Sequence, residues 1–202
     1  MCGIIGQINK SSQIERSLFD QMRDTMTHRG PDAADSVLLN NDICALGHRR
    51  LSIIDLSNDA KQPICNEDST IWLTFNGEIY NFQDIKKELL KYDHIFKSQS
   101  DSEILIHGYE QWGINVLLSK IKGMFAFAIL DLNKNKLYAV RDRFGIKPFY
   151  YYFDSEKLIF ASEIKGIIKH PETNKSIDYS SMADFLIYRY VPSPKSIYKN
   201  IK

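Results

Sequence analysis

From Met124 the chain reads MFAFAILDL, a run that is apolar almost throughout instead of alternating. A strand of that composition has to be covered on both faces. KLYAVRD, PFYYYF and KLIFAS follow at short intervals with turns between them, and consecutive strands so closely spaced predict an antiparallel sheet. A sheet that is covered on both faces while its connections are hairpins needs a layered core, such as two sheets stacked face to face with helices outside each. The expected class is therefore α+β, with helical layers flanking two sheets.

The rest of the chain supplies the other layers. IIGQI reads as a strand. Ser12-Gln13-Ile14-Glu15 offers a capping box for a helix with Ile14, Leu18, Met22 and Met26 on one face. SVLL and ICALGHRRLSI read as a hairpin turning at Asn40-Asn41-Asp42, and TIWLTF is a strand running into NGEIYN. FQDIKKELLKY has helical periodicity, with Asn81 placed to cap it. DSEILIHGYEQWG predicts a helix closing on Gly113, and YSSMADFLIYRY a last helix stopped by Pro192 and Pro194. SIYKNIK finishes without a turn or strand of its own, which predicts that residues 1–202 are one domain lacking its final strands.

Bulk properties exclude several classes. The 202 residues fit one domain, and 26 basic against 25 acidic side chains leave no stripe or tail suited to nucleic acid or a charged membrane surface. No apolar stretch approaches the roughly 20 residues that span a bilayer. Three unpaired-looking cysteines (Cys2, Cys44, Cys65) argue against a disulfide framework or a zinc site, so no metal is expected and the cytoplasm is the default location.

The opening MCGIIGQ has neither the basic n-region nor the length of a secretory signal, and Gly3 stands one place too late for myristoylation. A cysteine is small enough for the preceding methionine to be trimmed, which would leave Cys2 with a thiol and a free α-amine. Their reference pKa values, about 8.5 and about 8, make proton exchange between them nearly balanced. No histidine is then needed as base, and the five histidines are scattered without partners. Equally, a cysteine there can be a small buried hydrophobe.

Other segments bear on the same chemistry. A thiolate attacking a carboxamide needs an oxyanion hole. In FNGEIYN, Asn76 offers a side-chain NH₂ and Gly77 a closely approachable backbone N–H, although Asn-Gly is equally a tight turn. In GHRRLSIIDLS, Arg49 and Arg50 point to opposite faces of a regular strand, so that one can lie on the surface and the other clamp a carboxylate. Asp101 can hold a ligand ammonium or simply cap the following helix.

The ordered set MCGIIG, HRGPD, GHRRLSIIDLS, FNGEIYN, SDSE, GMFAFAILD, RDRFGIKPFYY and ASEIK closely resembles the class II glutamine amidotransferase domain, an N-terminal-nucleophile hydrolase found at the front of glutamine-hydrolysing asparagine synthetases. The likeness runs from Met1 to Lys202. NGEIYN with RLSIID resembles the asparagine synthetase branch, which includes synthetase-like enzymes of surface-polysaccharide pathways.

The resemblance implies a four-layer αββα sandwich. It implies Cys2 as nucleophile, Asn76 and Gly77 as oxyanion hole, and Arg50 on the glutamine α-carboxylate. Glu78 and Asp101 would hold the amino end, and Leu51, Ser52, Ile53 and Ile54 would line the pocket. Arg49 has no assigned role. The implied reaction yields glutamate and ammonia through a Cys2 thioester, with no cofactor in this domain.

The ammonia would pass to a synthetase domain that uses ATP and Mg²⁺ to amidate aspartate. No Ser-Gly-Gly-x-Asp-Ser phosphate loop occurs in these residues, so that domain is expected elsewhere. Bare packing surface would then favour association, a homodimer being its simplest form. Two other readings stand beside this one: a non-catalytic regulatory module with Met1 retained, and an N-terminal-cysteine hydrolase of unrelated amides.

Overall fold

The computed structural model describes residues 1–52 and 61–202. Nine strands form two antiparallel sheets among these residues. The first sheet has the order β2-β3-β1-β9-β8, comprising β1 (Gly3–Asn9), β2 (Ala33–Leu39), β3 (Cys44–Arg50), β8 (Tyr150–Phe153) and β9 (Lys157–Ala161). The second has the order β4-β5-β6-β7, comprising β4 (Ile64–Cys65), β5 (Ile71–Ile79), β6 (Gly123–Asp131) and β7 (Lys136–Arg141). The four closely spaced strands β6 to β9 are thus two hairpins, one in each sheet.

Three apolar cores account for the layers. Between the sheets, Cys44, Leu46 and Phe160 meet Ala128 and Leu130, with Trp72 and Phe149 at the margins. Outside the first sheet, Ile5, Ala45 and Ile159 pack on Phe19 and Met22 of α1 (Arg16–Asp24) and Ile167 of α4 (Ile164–Ile168). Outside the second, Leu73, Phe75, Phe127 and Ile129 pack on Ile85 and Leu89 of α2 (Phe82–Leu89) and on Ile104, Leu105 and Leu117 of α3 (Glu103–Lys120). Helix, sheet, sheet, helix is the αββα sandwich. It explains why β6 is apolar on both faces, since one face meets the other sheet and its opposite meets α2 and α3.

Local details depart from the sequence reading in instructive ways. Ser12 does not cap α1. Its Oγ and carbonyl instead accept from Asn9 Nδ2 at 3.1 and 3.0 Å, and the helix begins at Arg16 behind Glu15 without a side-chain cap. Asn81 sits at the N-cap of α2, but its amide bridges to Lys120 O and Lys122 N at 3.0 and 2.8 Å, fastening the end of α3 rather than capping.

Gly113 closes the first helical stretch of α3, as expected, and a second stretch follows across the kink. Its φ of +74°, which glycine adopts without penalty, makes the kink between the two stretches. The β2–β3 turn has Asn40, Asn41 and Asp42 at positive φ (52°, 54° and 65°), which short polar side chains tolerate. Lys202 exchanges both backbone hydrogen bonds with Tyr151, at 2.8 and 3.0 Å, extending the first sheet beyond β8. The last helix, α5 (Tyr179–Tyr188), ends at Arg189 in the left-handed conformation. No helix among the described residues is long and apolar enough to cross a membrane.

Candidate active site

β1 lies between β3 and β9, with Gly3 opposite Arg49 and Ile4 opposite His48. This antiparallel register sets Cys2 at the start of the central strand, beside the residues that leave β3. The backbone N of Leu51 is 3.4 Å from Cys2 Sγ, and Leu51 O accepts from the thiol at 3.6 Å. Burial pushes the thiol up from its ordinary value, while the Leu51 backbone, the chain's amino terminus, Arg50 and Lys147 pull it down.

Two more motifs brace the cysteine from the other side. Arg29 Nε donates to Cys2 O at 2.9 Å and its Nη1 to Glu163 at 3.1 Å. His28 and Lys165 also reach Glu163, at 2.8 and 3.1 Å, so HRGPD and ASEIK form one ionic cluster under Cys2. Burial raises the Glu163 carboxyl, but the His28, Arg29 and Lys165 contacts outweigh it and hold the group below the usual carboxylate range.

Asp142 accepts from the backbone N–H groups of Phe125, Phe144, Ile146 and Lys147 at 3.0–3.3 Å, folding the RDRFGIK loop so that Lys147 Nζ lies 3.7 Å from Met1 Sδ. Neither Arg29 nor Lys147 was assigned a role from sequence. Their signal was present as an arginine and a lysine inside quoted motifs, but Arg29 joins Cys2 to Glu163, 134 residues from itself, and Lys147 reaches Met1, 146 residues away.

β3 also separates its two arginines. Arg49 reaches outward, with Nε to Gly30 O at 2.9 Å and Nη1 to Asp24 at 3.4 Å. Arg50, two residues after His48, shares the inner face with it and is buried. His48 Nε2 donates to Phe75 O at 3.1 Å, and Thr74 Oγ1 to Gly47 O at 3.1 Å, tying β3 to β5 just before Asn76. Burial drives the His48 imidazole down to about 4, with Arg50 adding to the effect and the Phe75 bond opposing it.

Asn76 and Gly77 are not a turn. They run inside β5, paired with Ala126 and Phe125 of β6. A Cβ at position 77 would stand 2.5 Å from Met124 O and 2.7 Å from Phe125 Cα, so the neighbouring strand leaves room only for glycine. Asn76 is 2% exposed, yet its Nδ2 has no hydrogen-bond partner. An orphaned buried donor costs about 1–3 kcal/mol, so its retention calls for an acceptor that binds there.

At the end of β5, Asp101 Oδ2 accepts from Ile79 N at 2.8 Å. It does not cap α3, whose N-cap is Ser102. Burial raises the Asp101 carboxyl, the Ile79 N–H opposes, and the charge of Glu78 raises it further. Asp32 Oδ2 accepts from Ser52 N at 2.8 Å and fixes the chain just past Leu51. Ile53 and Ile54 lie outside the described residues.

The described residues thus offer a half-buried thiol at Cys2, an unpartnered buried amide donor at Asn76, a buried arginine at Arg50 and a buried carboxyl at Asp101. All 202 residues match the family model described as a glutamine amidotransferase domain, and the chain belongs to that family. It is 36% identical to asparagine synthetase [glutamine-hydrolyzing] 3 of Bacillus subtilis (strain 168), with 100% of this chain and 33% of the relative aligned. Asparagine synthetase 2 of the same organism is 43% identical, over 89% of this chain and 24% of the relative. A putative asparagine synthetase of Methanocaldococcus jannaschii is 35% identical, over 99% and 42%. The chain therefore spans about a quarter to two fifths of these relatives. Among solved structures, the glutamine phosphoribosylpyrophosphate amidotransferase of B. subtilis shares the fold, with a TM-score of 0.70 at 20% identity over 83% of this chain and 43% of that one.

Proposed function

We propose that this domain hydrolyses L-glutamine to L-glutamate and ammonia, with Cys2 as nucleophile once Met1 has been removed. Met1 is 56% exposed, which leaves it open to a processing enzyme. The observation that carries the reading is the Asn76 amide: a buried donor without a partner, held on a strand that His48 ties to the end of β3, where Arg50 and Leu51 flank Cys2.

The glutamine α-carboxylate pairs with Arg50, whose planar fork suits two parallel hydrogen bonds. The α-ammonium sits between Glu78 and Asp101 and offsets the burial and the Glu78 charge that raise Asp101. Leu51 and Ser52 line the pocket. The side-chain amide then faces Cys2.

The Cys2 α-amine takes the thiol proton, and the thiolate forms a C–S bond to the amide carbon. Negative charge moves to the amide oxygen, where Asn76 Nδ2 and the Gly77 N–H receive it. Collapse breaks the C–N bond, and the protonated α-amine returns its proton to the departing nitrogen, which leaves as ammonia. Water, deprotonated by the same amine, attacks the thioester, releasing glutamate and restoring the thiol. Glutamine and water become glutamate and ammonia, in balance.

The ammonia is supplied to an ATP- and Mg²⁺-dependent synthetase domain that amidates aspartate, a reading supported by relatives that are named glutamine-hydrolyzing asparagine synthetases. α5 exposes Phe185, Leu186 and Ile187, and we assign this apolar face to that domain, with a homodimer the alternative occupant. The cysteines at positions 2, 44 and 65 are free thiols, which supports a cytoplasmic location.

The test is incubation of the Met1-free chain with glutamine, aspartate and ATP–magnesium, with glutamate, ammonia and asparagine assayed separately. Glutamate and ammonia without asparagine support the reading. Asparagine made by this chain alone contradicts the division of labour, and no glutamate contradicts the site.

A further inference from the structure

A second cluster of ligand-bearing side chains lies on the outer helical layer, on α3 and the start of the loop after α2, which carry none of the candidate active-site residues. His94 follows the turn after α2, where Asp93 has φ 64°, and His107 and Glu110 stand one turn apart on α3. One ligand atom of each lies within 4.8 Å of the other two. His107 Nδ1 is 3.2 Å and His94 Nδ1 4.0 Å from Glu110 Oε2. Ligand atoms around a tetrahedral ion with bonds of about 2.0 Å stand roughly 3.3 Å apart, so small side-chain rotations suffice.

The far side of each residue is already fixed. His107 Nε2 faces Glu103 Oε1 at 3.7 Å, His94 Nε2 contacts Gln111 Oε1 at 3.2 Å, and Glu110 Oε1 accepts from Asn66 Nδ2 at 2.8 Å. Glu103 is itself held by Lys97 N, Ser98 N and Ser98 Oγ at 2.7–2.9 Å. Such outer partners orient imidazoles and carboxylates in metal sites, aiming one atom of each inward. Phe96 meets the His107 ring edge-on at 4.8 Å and closes one side. Glu110 is exposed and His94 half-buried, which leaves an entry path and an open coordination position.

We propose that His94, His107 and Glu110 form a binding site for a divalent transition-metal ion, Zn²⁺ being the ion best matched to two imidazoles and one carboxylate. Its place on the outer layer, away from β1 and the end of β3, makes it a brace between α3 and the loop after α2, and not a participant in amide chemistry.

The test uses Zn²⁺ itself on the Cys2→Ala chain, which removes the active-site thiol as a competing ligand. Equilibrium dialysis with metal analysis is expected to give one Zn²⁺ per chain, and thermal melts are expected to rise with Zn²⁺. His94→Ala, on a loop, and Glu110→Gln, which keeps an acceptor for Asn66, are each expected to weaken binding by at least about tenfold while leaving the metal-free melt nearly unchanged. Substoichiometric Zn²⁺, or equal affinity in the parent and both variants, would overturn the proposal. Neither result bears on glutamine hydrolysis.

Discussion

Cys2 Sγ lies 3.4 Å from the backbone nitrogen of Leu51, so the thiol at the start of β1 is positioned by the first residue after β3. That contact follows from the antiparallel pairing of Gly3 with Arg49, and it draws Cys2 and the buried Arg50 into one corner of the sandwich.

Activity should require an exposed α-amine on Cys2. Intact-mass measurement of active protein is expected to show loss of one methionine. A preparation that keeps Met1 should be inactive, because the thiol then has no amine base in its own residue. Full activity with Met1 attached would contradict this role of the amine.

Asn76→Ala and Arg50→Ala should fail in different ways. Loss of an oxyanion donor lowers kcat by on the order of 10² to 10³ with little change in KM. Removing a clamp made in both ground and transition states raises KM. Asn76→Ala should also melt at or above the parent temperature, because it deletes a donor that has no partner in the folded protein. A large loss of stability would make Asn76 a structural residue.

Gly77→Ala should be destabilised by about 1–3 kcal/mol, since its Cβ meets Met124 O and Phe125 Cα at 2.5 and 2.7 Å on the paired strand. Urea midpoints check this. The other cysteines provide a contrast. Cys65→Ser should keep its activity, and Cys44→Ser should lose about 1–3 kcal/mol of stability through a hydroxyl buried between the sheets while retaining kcat.

Acid should weaken the fold through His48. Its folded value of about 4 lies below the ordinary 6.5, so the unfolded chain binds the extra proton first as pH falls. Stability present above pH 6.5 is therefore lost between 6.5 and about 4, by at most about 3 kcal/mol. His170, also lowered by burial, shares part of that window. His48→Gln, which keeps a donor for Phe75 O, should flatten this limb of a stability–pH curve. An unchanged limb would mean that His48 is not its source.

The layered architecture was legible because the doubly apolar β6 run allows few coverings. The nucleophile candidate was legible because its chemistry is local to a single residue. What the sequence could not show depends on distant partners. The Asn9 amide competes for Ser12 and removes the capping box. Asp101 turns to Ile79 N instead of its own helix. The choice between a turn and a strand at Asn76-Gly77 was decided by β6, which lies more than forty residues downstream.

The most direct test of the account is glutamate release by the Met1-free chain compared with Cys2→Ala. The parent should release glutamate and ammonia in equal amounts. The variant should be folded by circular dichroism and slower by at least about 10³-fold. Glutamate release by folded Cys2→Ala within about tenfold of the parent rate would contradict the assignment of Cys2 as nucleophile.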